Sequence, residues 1–526
     1  MKSKGFLYGT LILVGAGLIT KILGFVYRIA LSRIIGDEGM GLFQMAFPIL
    51  IFTIVITTAG LPVAISKLVS EAEAKNETER IRSILIVSIF IVVITSILIT
   101  SSVLLFAPWI AKTLLTDQRA VYALLGIAPI IPIIAISSIF RGYFQGRQNM
   151  SPYALSTIIE QAVRIFTVLI LAIYLLPYGV EYAAAGAMIG MVIGEFAGLL
   201  YLLFSFKRDP GRPKLSKPHQ ILTRKEKWRQ WKGSLRDLLR LAIPVTTSRL
   251  VGSFSYAIEP IVVSQSLALA GIATATATAL YGQLEGMAIP LVFFPSFITY
   301  AVSVSLVPAI SEAAAQNKAQ LVSHRLQQAI RLCLIVALPS ALLMYMLAEP
   351  LSILLYRQSD VARLIQIMAP FTVLHAMQGP FASVLQGLDN AQAPMRNSII
   401  GAVVKTILIF VLASRADLGI DGVALAINSG IVIVTILHFI DILKEVSFQI
   451  HLKDLSKLCL ATIIAGLVNY SCLHAEQWPL LTRTAISFFS SMFIYGICLV
   501  LFTLVRKDDV RRIPYVGKWM AKMLPH

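Results

Sequence analysis

Three cations stand in the first apolar helix of this chain. Lys21, Arg28 and Arg33 punctuate the stretch TKILGFVYRIALSRIIGDEGMGLF, residues 20–43. No acid precedes them; the first two, Asp37 and Glu38, follow Gly36, where the helix is expected to break. A cation at the centre of a bilayer costs about 2.5–3.5 kcal/mol on insertion scales. A membrane helix that keeps several points them at a water-filled cavity, a partner or a substrate. Lys21 and Arg28 lie seven residues apart, nearly two turns, so both project from one face. The chemistry that two such groups offer is the binding of an anion. Arg33 points elsewhere and sits near the helix end, where snorkelling would satisfy it. Snorkelling or a structural ion pair is the plainer alternative for Lys21 and Arg28 as well.

Other polar groups fall inside apolar runs. Glu160 and Arg164 are spaced i,i+4, so a mutual salt bridge accounts for them, and the pair could brace a cavity wall. Arg249, Glu259, Gln283 and Glu285 have no opposite charge at pairing distance in their own helices and are read as cavity lining. Lys405, Glu195, His375 and Asp441 are weaker cases. There is no phosphate-cradling Gly-rich loop, no HExxH and no Ser/His/Asp set on a loop, so no enzyme is expected. Asp508 and Asp509 lie in RKDDVRR, which reads as a solvated charge cluster. Cys333, Cys459, Cys472 and Cys498 form no close pair and read as small buried hydrophobes. No metal and no cofactor are expected.

The elements that must hold these residues are membrane helices. Of 526 residues, 57% are hydrophobic and 14% charged, where a soluble chain carries about 25% charged. Long unbroken apolar runs select helices over a barrel. About 20 apolar residues cross a bilayer, and that ruler gives about fourteen spans. Met1–Gly5 and the run after it read as a retained first helix, not a cleaved signal. The net charge of +18 lies mostly between the runs, as the positive-inside rule requires, so nucleic acid is not an expected partner. The basic loops share the N-terminal side, which puts both termini in the cytoplasm of a multi-pass cell-membrane protein. The loop from Lys207 to Lys232 holds ten Lys and Arg residues with Trp228 and Trp231. It is expected to lie on anionic lipid headgroups, at about 1 kcal/mol per basic residue near the surface.

The chain repeats itself. SEAEAKN at 70–76 returns as SEAAAQN at 311–317, and QGRQN at 145–149 as QGLDN at 386–390, both 241 positions on. STIIEQAVRIFTVLILA faces NSIIGAVVKTILIFVLA at the same offset, with Arg164 opposite Lys405. Six helices per half make the repeat parallel, with a substrate path between the halves. The expected organisation is a six-helix bundle over 1–206, a basic loop over 207–236, a second bundle over 237–445, and two further helices with a basic tail over 446–526. Pro129, Pro132, Pro244, Pro290, Pro295, Pro339, Pro370 and Pro380 are expected to interrupt spans, and the Gly-rich run 183–194 to allow close helix contact.

LILVGAGLITKILGFVYRIALSRIIGDEGMGLF, LPVAISKLVSEA, IPIIAISSIFRGYFQGRQNMSP, EPIVVSQSLALAGI and FFPSFITYAVSVSLVPAISEA together resemble the sporulation and peptidoglycan branch of the oligosaccharidyl-lipid/polysaccharide exporter superfamily. That superfamily also holds MurJ-type lipid II flippases and MATE drug exporters. The resemblance covers nearly the whole chain. It implies two six-helix bundles around a central cavity, two extra C-terminal helices, and an undecaprenyl-pyrophosphate-linked sugar as substrate, a lipid II-like precursor for the spore cortex. It also implies cavity cations that meet the pyrophosphate. Lys21 matches one such position and Tyr27 a second, with Arg28 beside it, and an arginine expected in the eighth helix aligns near Gln283. Peptidoglycan synthesis proteins would be partners. Three other readings stay open: a cation-coupled drug exporter centred on Glu259 and Glu285, a flippase for another lipid-linked polysaccharide, and a scaffold that works through the 207–232 loop.

Overall fold

Continuous apolar sequence forces backbone hydrogen bonds inside each segment, and the chain is built from helices throughout its described length. The computed structural model describes residues 2–213, 224–446, 452–475 and 477–504, with side chains from residue 15 on except those of 224–227 and 248. The basic positions Lys214, Lys217 and the tail from Arg506 to Lys522 lie outside the described residues, and the side chains of Arg224, Lys225 and Lys227 are likewise not described.

The first helices are α1 (Lys2–Thr58), α2 (Leu61–Ala74), α3 (Thr78–Trp109), α4 (Ala120–Ile127), α5 (Ile130–Gly146), α6 (Ser151–Leu175) and α7 (Val180–Arg208). α8 (Arg224–Leu269) and α9 (Thr274–Tyr281) follow, then a π-helical turn over Gly282–Ala288 and α10 (Ile289–Val292). The remainder is α11 (Ser296–Ala315), α12 (Ala319–Met346), α13 (Ala348–Tyr356), α14 (Val361–Met368), α15 (Thr372–Gly387), α16 (Gln392–Ala413), α17 (Gly419–Glu445), α18 (Leu452–Leu473) and α19 (Leu480–Leu501).

α1 breaks where expected. Gly36 takes φ 70° and ψ −172°, a conformation that favours glycine because it has no Cβ. Eleven helical stretches among the described residues are long and apolar enough to cross a membrane, and the first runs 60 residues from Gly15 to Ala74. Sixty residues exceed one crossing about threefold, and the Gly36 break falls inside them. The chain is a multi-pass membrane protein; fourteen crossings remains an expectation. Pro129 and Pro295 sit at helix starts and Pro370 in a short 3-10 turn. Pro244, Pro339 and Pro380 instead lie inside continuous helices. Neighbouring packing tolerates a bent helix where one backbone bond is missing.

The repeat is written in the backbone. α2 and α11 end at Ala74 and Ala315, and α3 and α12 start at Thr78 and Ala319. α5 and α15 end at Gly146 and Gly387. Each interval is 241 residues. Left-handed turns recur at the same interval: Asn76 and Asn317 (φ 56° and 54°), Thr116 and Arg357 (both 59°), Gln148 and Asp389 (58° and 62°).

By packing, the described chain divides into two compact units. One holds 1–286 with 413–419, and the other 287–412 with 420 onward. In the first unit, α6 and α7 meet along glycines. A Cβ at Gly190 would lie 2.5 Å from the Val168 nitrogen, and one at Gly194 2.7 Å from Arg164 Cβ. The close helix contact expected of the Gly-rich run is therefore present. The same unit has a buried cluster in which Leu238 and Ala242 of α8 join Leu61, Ile65, Leu68 and Ile84 of α2 and α3. In the second unit α11, α12, α15 and α17 share a core around Leu306, Leu326, Phe381 and Ile442. α18 and α19 pack on α12, where Tyr495 Oη donates to the Ile335 carbonyl at 2.9 Å.

Two sequence expectations change. α8 starts at Arg224, so the second part of the expected 207–236 loop is helix. Its inner face (Trp231, Ser234, Leu238) packs against α3, with Ser83 and Ser234 hydroxyls 2.8 Å apart and Phe90 edge-on to Trp231. Among the cysteines, Cys333 and Cys498 are buried but Cys459 is exposed, since on a membrane-facing helix an apolar side chain needs no burial.

Candidate functional site

The cations of α1 stand on a face that meets α6. Lys21 is exposed and Arg28 half-buried. Gly24 lies between them on the same face. A Cβ there would be 3.7 Å from Gln161 Nε2 of α6. Gln161 is buried, and its Nε2 has no hydrogen-bond partner among the described residues. A buried amide donor without an acceptor is costly, and here it sits beside the cationic face. The sequence reading missed Gln161. Its place beside Glu160 was visible, but which way the helix turned it was not.

Around Arg28 the first unit gathers further polar groups from α8 and the π-helical turn. Tyr256 is within electrostatic reach of Glu285, Glu259 and Arg28. Tyr281 is within reach of Glu285, Glu259 and Tyr256. Glu259 and Glu285 are both buried. The structure thus brings Arg28, Glu259 and Glu285 into one neighbourhood. Arg249 is exposed on α8, ten residues before Glu259, about 15 Å along the axis.

Gln283 is occupied otherwise. Its Nε2 donates to Asp37 Oδ2 at 2.8 Å, tying the π-helical turn to the segment just after the Gly36 break. Gln44 Nε2 donates to the Glu285 carbonyl at 2.8 Å. A Cβ at Gly41 would stand 1.9 Å from the Thr278 carbonyl oxygen, so only glycine allows this approach. Next to it, Asp117 Oδ2 accepts from Thr278 Oγ1 at 2.8 Å and from Arg119 Nη2 at 2.8 Å, and Arg119 Nη1 reaches Glu38 Oε1 at 2.6 Å. Burial alone would raise the Asp117 carboxyl. The hydrogen bonds from Arg119 and Thr278 outweigh it and hold the group below the usual carboxylate range.

Glu160 and Arg164 pair as their spacing predicts, and the pair is half of a larger ring. Arg164 Nη2 donates to Glu160 Oε1. Arg141 Nη2 donates to Glu160 Oε2 at 2.9 Å and to Glu195 Oε1 at 3.0 Å, and Arg164 lies 3.9 Å from Glu195. The Arg141 guanidinium also faces the Tyr153 ring at 5.6 Å. Two arginines and two glutamates cancel, which is how buried charge is tolerated. Arg141 belongs to α5 and faces inward. Lys405 lies in the second unit, half-buried on α16 against Gly430 of α17.

Comparison with known proteins agrees with this architecture. A family model described as "Polysaccharide biosynthesis protein" matches residues 6–314, and the MatE model matches 260–411. Stage V sporulation protein B of Bacillus subtilis (strain 168) is 45% identical over 527 residues, covering 99% of this chain and 100% of that one. Lipid II flippase MurJ of the same organism is 25% identical over 91% of this chain and 90% of its own length. A solved structure of lipid II flippase MurJ in an inward closed conformation superposes with TM-score 0.71 at 16% identity, covering 94% of this chain and 98% of that one. At that identity the likeness speaks for the fold. The MurJ proteins among them are flippases by name, in keeping with a chain that is not an enzyme.

Proposed function

Because the chain belongs to the polysaccharide biosynthesis protein family, we propose that it is a flippase for a lipid-linked pyrophosphate sugar, a lipid II-like peptidoglycan precursor serving the spore cortex. The observation that carries this reading is the face of α1 that holds Lys21, Gly24 and Arg28 against the buried Gln161 amide. A pyrophosphate would receive two cations and one neutral donor there. Charge-assisted hydrogen bonds of this kind are each worth about 1.5–3 kcal/mol. α1 and α8 run in the same sense in a parallel repeat. Arg249 then stands level with Lys21 as Tyr256 does with Arg28, since each pair is seven residues apart.

In this reading both termini are cytoplasmic, and the bundles over 1–206 and 237–445 rock about the anion while the lipid tail stays in the bilayer. An ion gradient or the membrane potential supplies the difference in affinity between the two states. The basic stretch 207–232 and peptidoglycan synthesis proteins complete the surroundings. Lys21→Ala and Arg28→Ala should each lower translocation of labelled lipid II in vesicles at least tenfold, at unchanged protein level. Normal translocation by both variants overturns the assignment.

A second reading has its own observation. Glu259 and Glu285 are buried and, like Arg28, lie within electrostatic reach of Tyr256, and the MatE match covers Glu259's neighbour Pro260 onward. A cation-coupled exporter would use those carboxylates. Glu259→Gln and Glu285→Gln would then abolish drug resistance in an expressing strain, whereas the flippase reading predicts no resistance to lose.

A further inference from the structure

A groove in the second unit has no role in the flippase site. It encloses about 540 Å3 and its lining residues come from α11 and α12 alone. At one end stand His324, Arg325 and Gln328, with Ser305 and Ala309 across from them; Leu306 and Leu332 continue the wall. The volume falls within the range of small-ligand sites, about 300–1,000 Å3.

The repeat shows what is unusual here. Subtracting 241 carries Ser305, Ala309, His324, Arg325 and Gln328 onto Ala64, Leu68, Ser83, Ile84 and Val87. Those five are buried, and the chain covers them with its own α8: Ser83 is bonded to Ser234, and Leu238 and Ala242 sit in the same cluster. In the second repeat the same groove has His324 and Arg325 where the first has Ser83 and Ile84, and His324 and Ser305 are exposed.

The polarity is graded. α12 begins at Ala319, so Arg325 lies about 9 Å along the helix, close to the turn that carries the exposed Lys318. Leu332 is about 10 Å farther along, towards the middle of the helix. Arg325 Nη1 donates to the Ala309 carbonyl, and Nη2 lies 3.5 Å from Glu312, itself 64% exposed. A guanidinium has five N–H donors, and these two contacts hold it across the mouth of the groove with donors to spare. Cations at the turn end and an apolar wall beyond them match an amphipath with an anionic head and an acyl chain. They do not match a basic segment. Residues 505–526 carry Arg506, Lys507, Arg511, Arg512, Lys518 and Lys522 against Asp508 and Asp509, and like charges would repel.

We propose that the groove between α11 and α12 binds an anionic phospholipid, with its phosphate on His324 and Arg325 and an acyl chain along Leu306 and Leu332. The full chain, purified in detergent, would be titrated with phosphatidylglycerol and with phosphatidylcholine and read by native mass spectrometry. Phosphatidylglycerol should be retained in preference to phosphatidylcholine, and millimolar inorganic phosphate should not displace it. His324→Ala, a surface change, should weaken retention several-fold. Ala309→Phe, which fills the groove and leaves His324 and Arg325 in place, should weaken it about tenfold. Equal retention of the two lipids, or unchanged phosphatidylglycerol binding in both variants, overturns the proposal. Displacement by inorganic phosphate also overturns it, because the site would then be one for free phosphate.

Discussion

Between α2 and α3 the chain lays its own α8, sealing the groove with the Ser83–Ser234 contact and the side chains of Leu238 and Ala242. Between α11 and α12, 241 residues later, the groove is open and edged with His324 and Arg325. The same divergence runs deeper. The ring of Arg141, Glu160, Arg164 and Glu195 meets Ala382, Gly401, Lys405 and Ile436 at the corresponding positions. The turns at Asn76 and Asn317, or at Gln148 and Asp389, are nearly superimposable in φ. Backbone plan and interior chemistry have therefore separated. The turns preserve the path of the chain, and the polar interior of each repeat is free to specialise. The first repeat uses charge to bind its helices to one another. The second has shed that ring and exposes a cationic groove.

If the ring holds the first repeat together, its removal should be the largest effect. Arg141→Ala leaves Glu160 and Glu195 buried with one arginine between them. Breaking a buried ion pair from one side costs about 3–5 kcal/mol, so a thermal-unfolding assay in detergent should show severe loss of folded protein. A near-normal melting temperature would mean that the ring is ornamental and the two repeats are energetically alike.

The glycine contacts sharpen the comparison at smaller cost. Gly190→Ala puts a Cβ 2.5 Å from the backbone nitrogen of Val168, which cannot move without α6. It should destabilise by about 1–3 kcal/mol. Gly430→Ala in the second repeat would meet Lys405 Cβ at 3.2 Å, a contact that a helix shift of a few tenths of an ångström relieves, and should cost under about 1 kcal/mol. Equal melting shifts for the two would erase the difference in helix packing drawn here.

The ties after the Gly36 break should matter less than the ring. Asp117→Asn weakens the contacts to Arg119 and Thr278 and should lower stability by about 1–3 kcal/mol. The sign of its pH dependence follows from the lowered folded-state pKa. The ionised form is the one the fold favours, so its contribution is fully present above the usual carboxylate range and is lost as pH falls through the lowered value. Melting temperatures of wild type and Asp117→Asn should therefore differ by a constant amount from pH 8 to about 5 and converge only below about 4. Convergence already near pH 6 would show that Asp117 is not held as its partners imply.

What could be read from the sequence was local or periodic. The cationic face of α1 follows from a seven-residue spacing, the break at Gly36 from a residue type, the Glu160–Arg164 pair from one helical turn, and the repeat from a constant offset. Each needs only the geometry of a single helix or a comparison of the chain with itself. Arg141 stands at the start of FRGYFQGRQN, and nothing in its spacing points to Glu160, nineteen residues on, or to Glu195. The start of α8 at Arg224 was hidden because ten basic residues in a row of polar sequence read as solvent-exposed chain, and only packing against α3 makes a helix of their second half worth forming. Gln161 and the open groove have the same origin. The sequence determined that the chain is a doubled bundle of membrane helices with cations on its first. Tertiary structure alone decided which faces meet, because the contact of one helix with another depends on rotation and tilt that no single helix specifies. On those contacts depend which charges cancel and which groove the described residues leave uncovered.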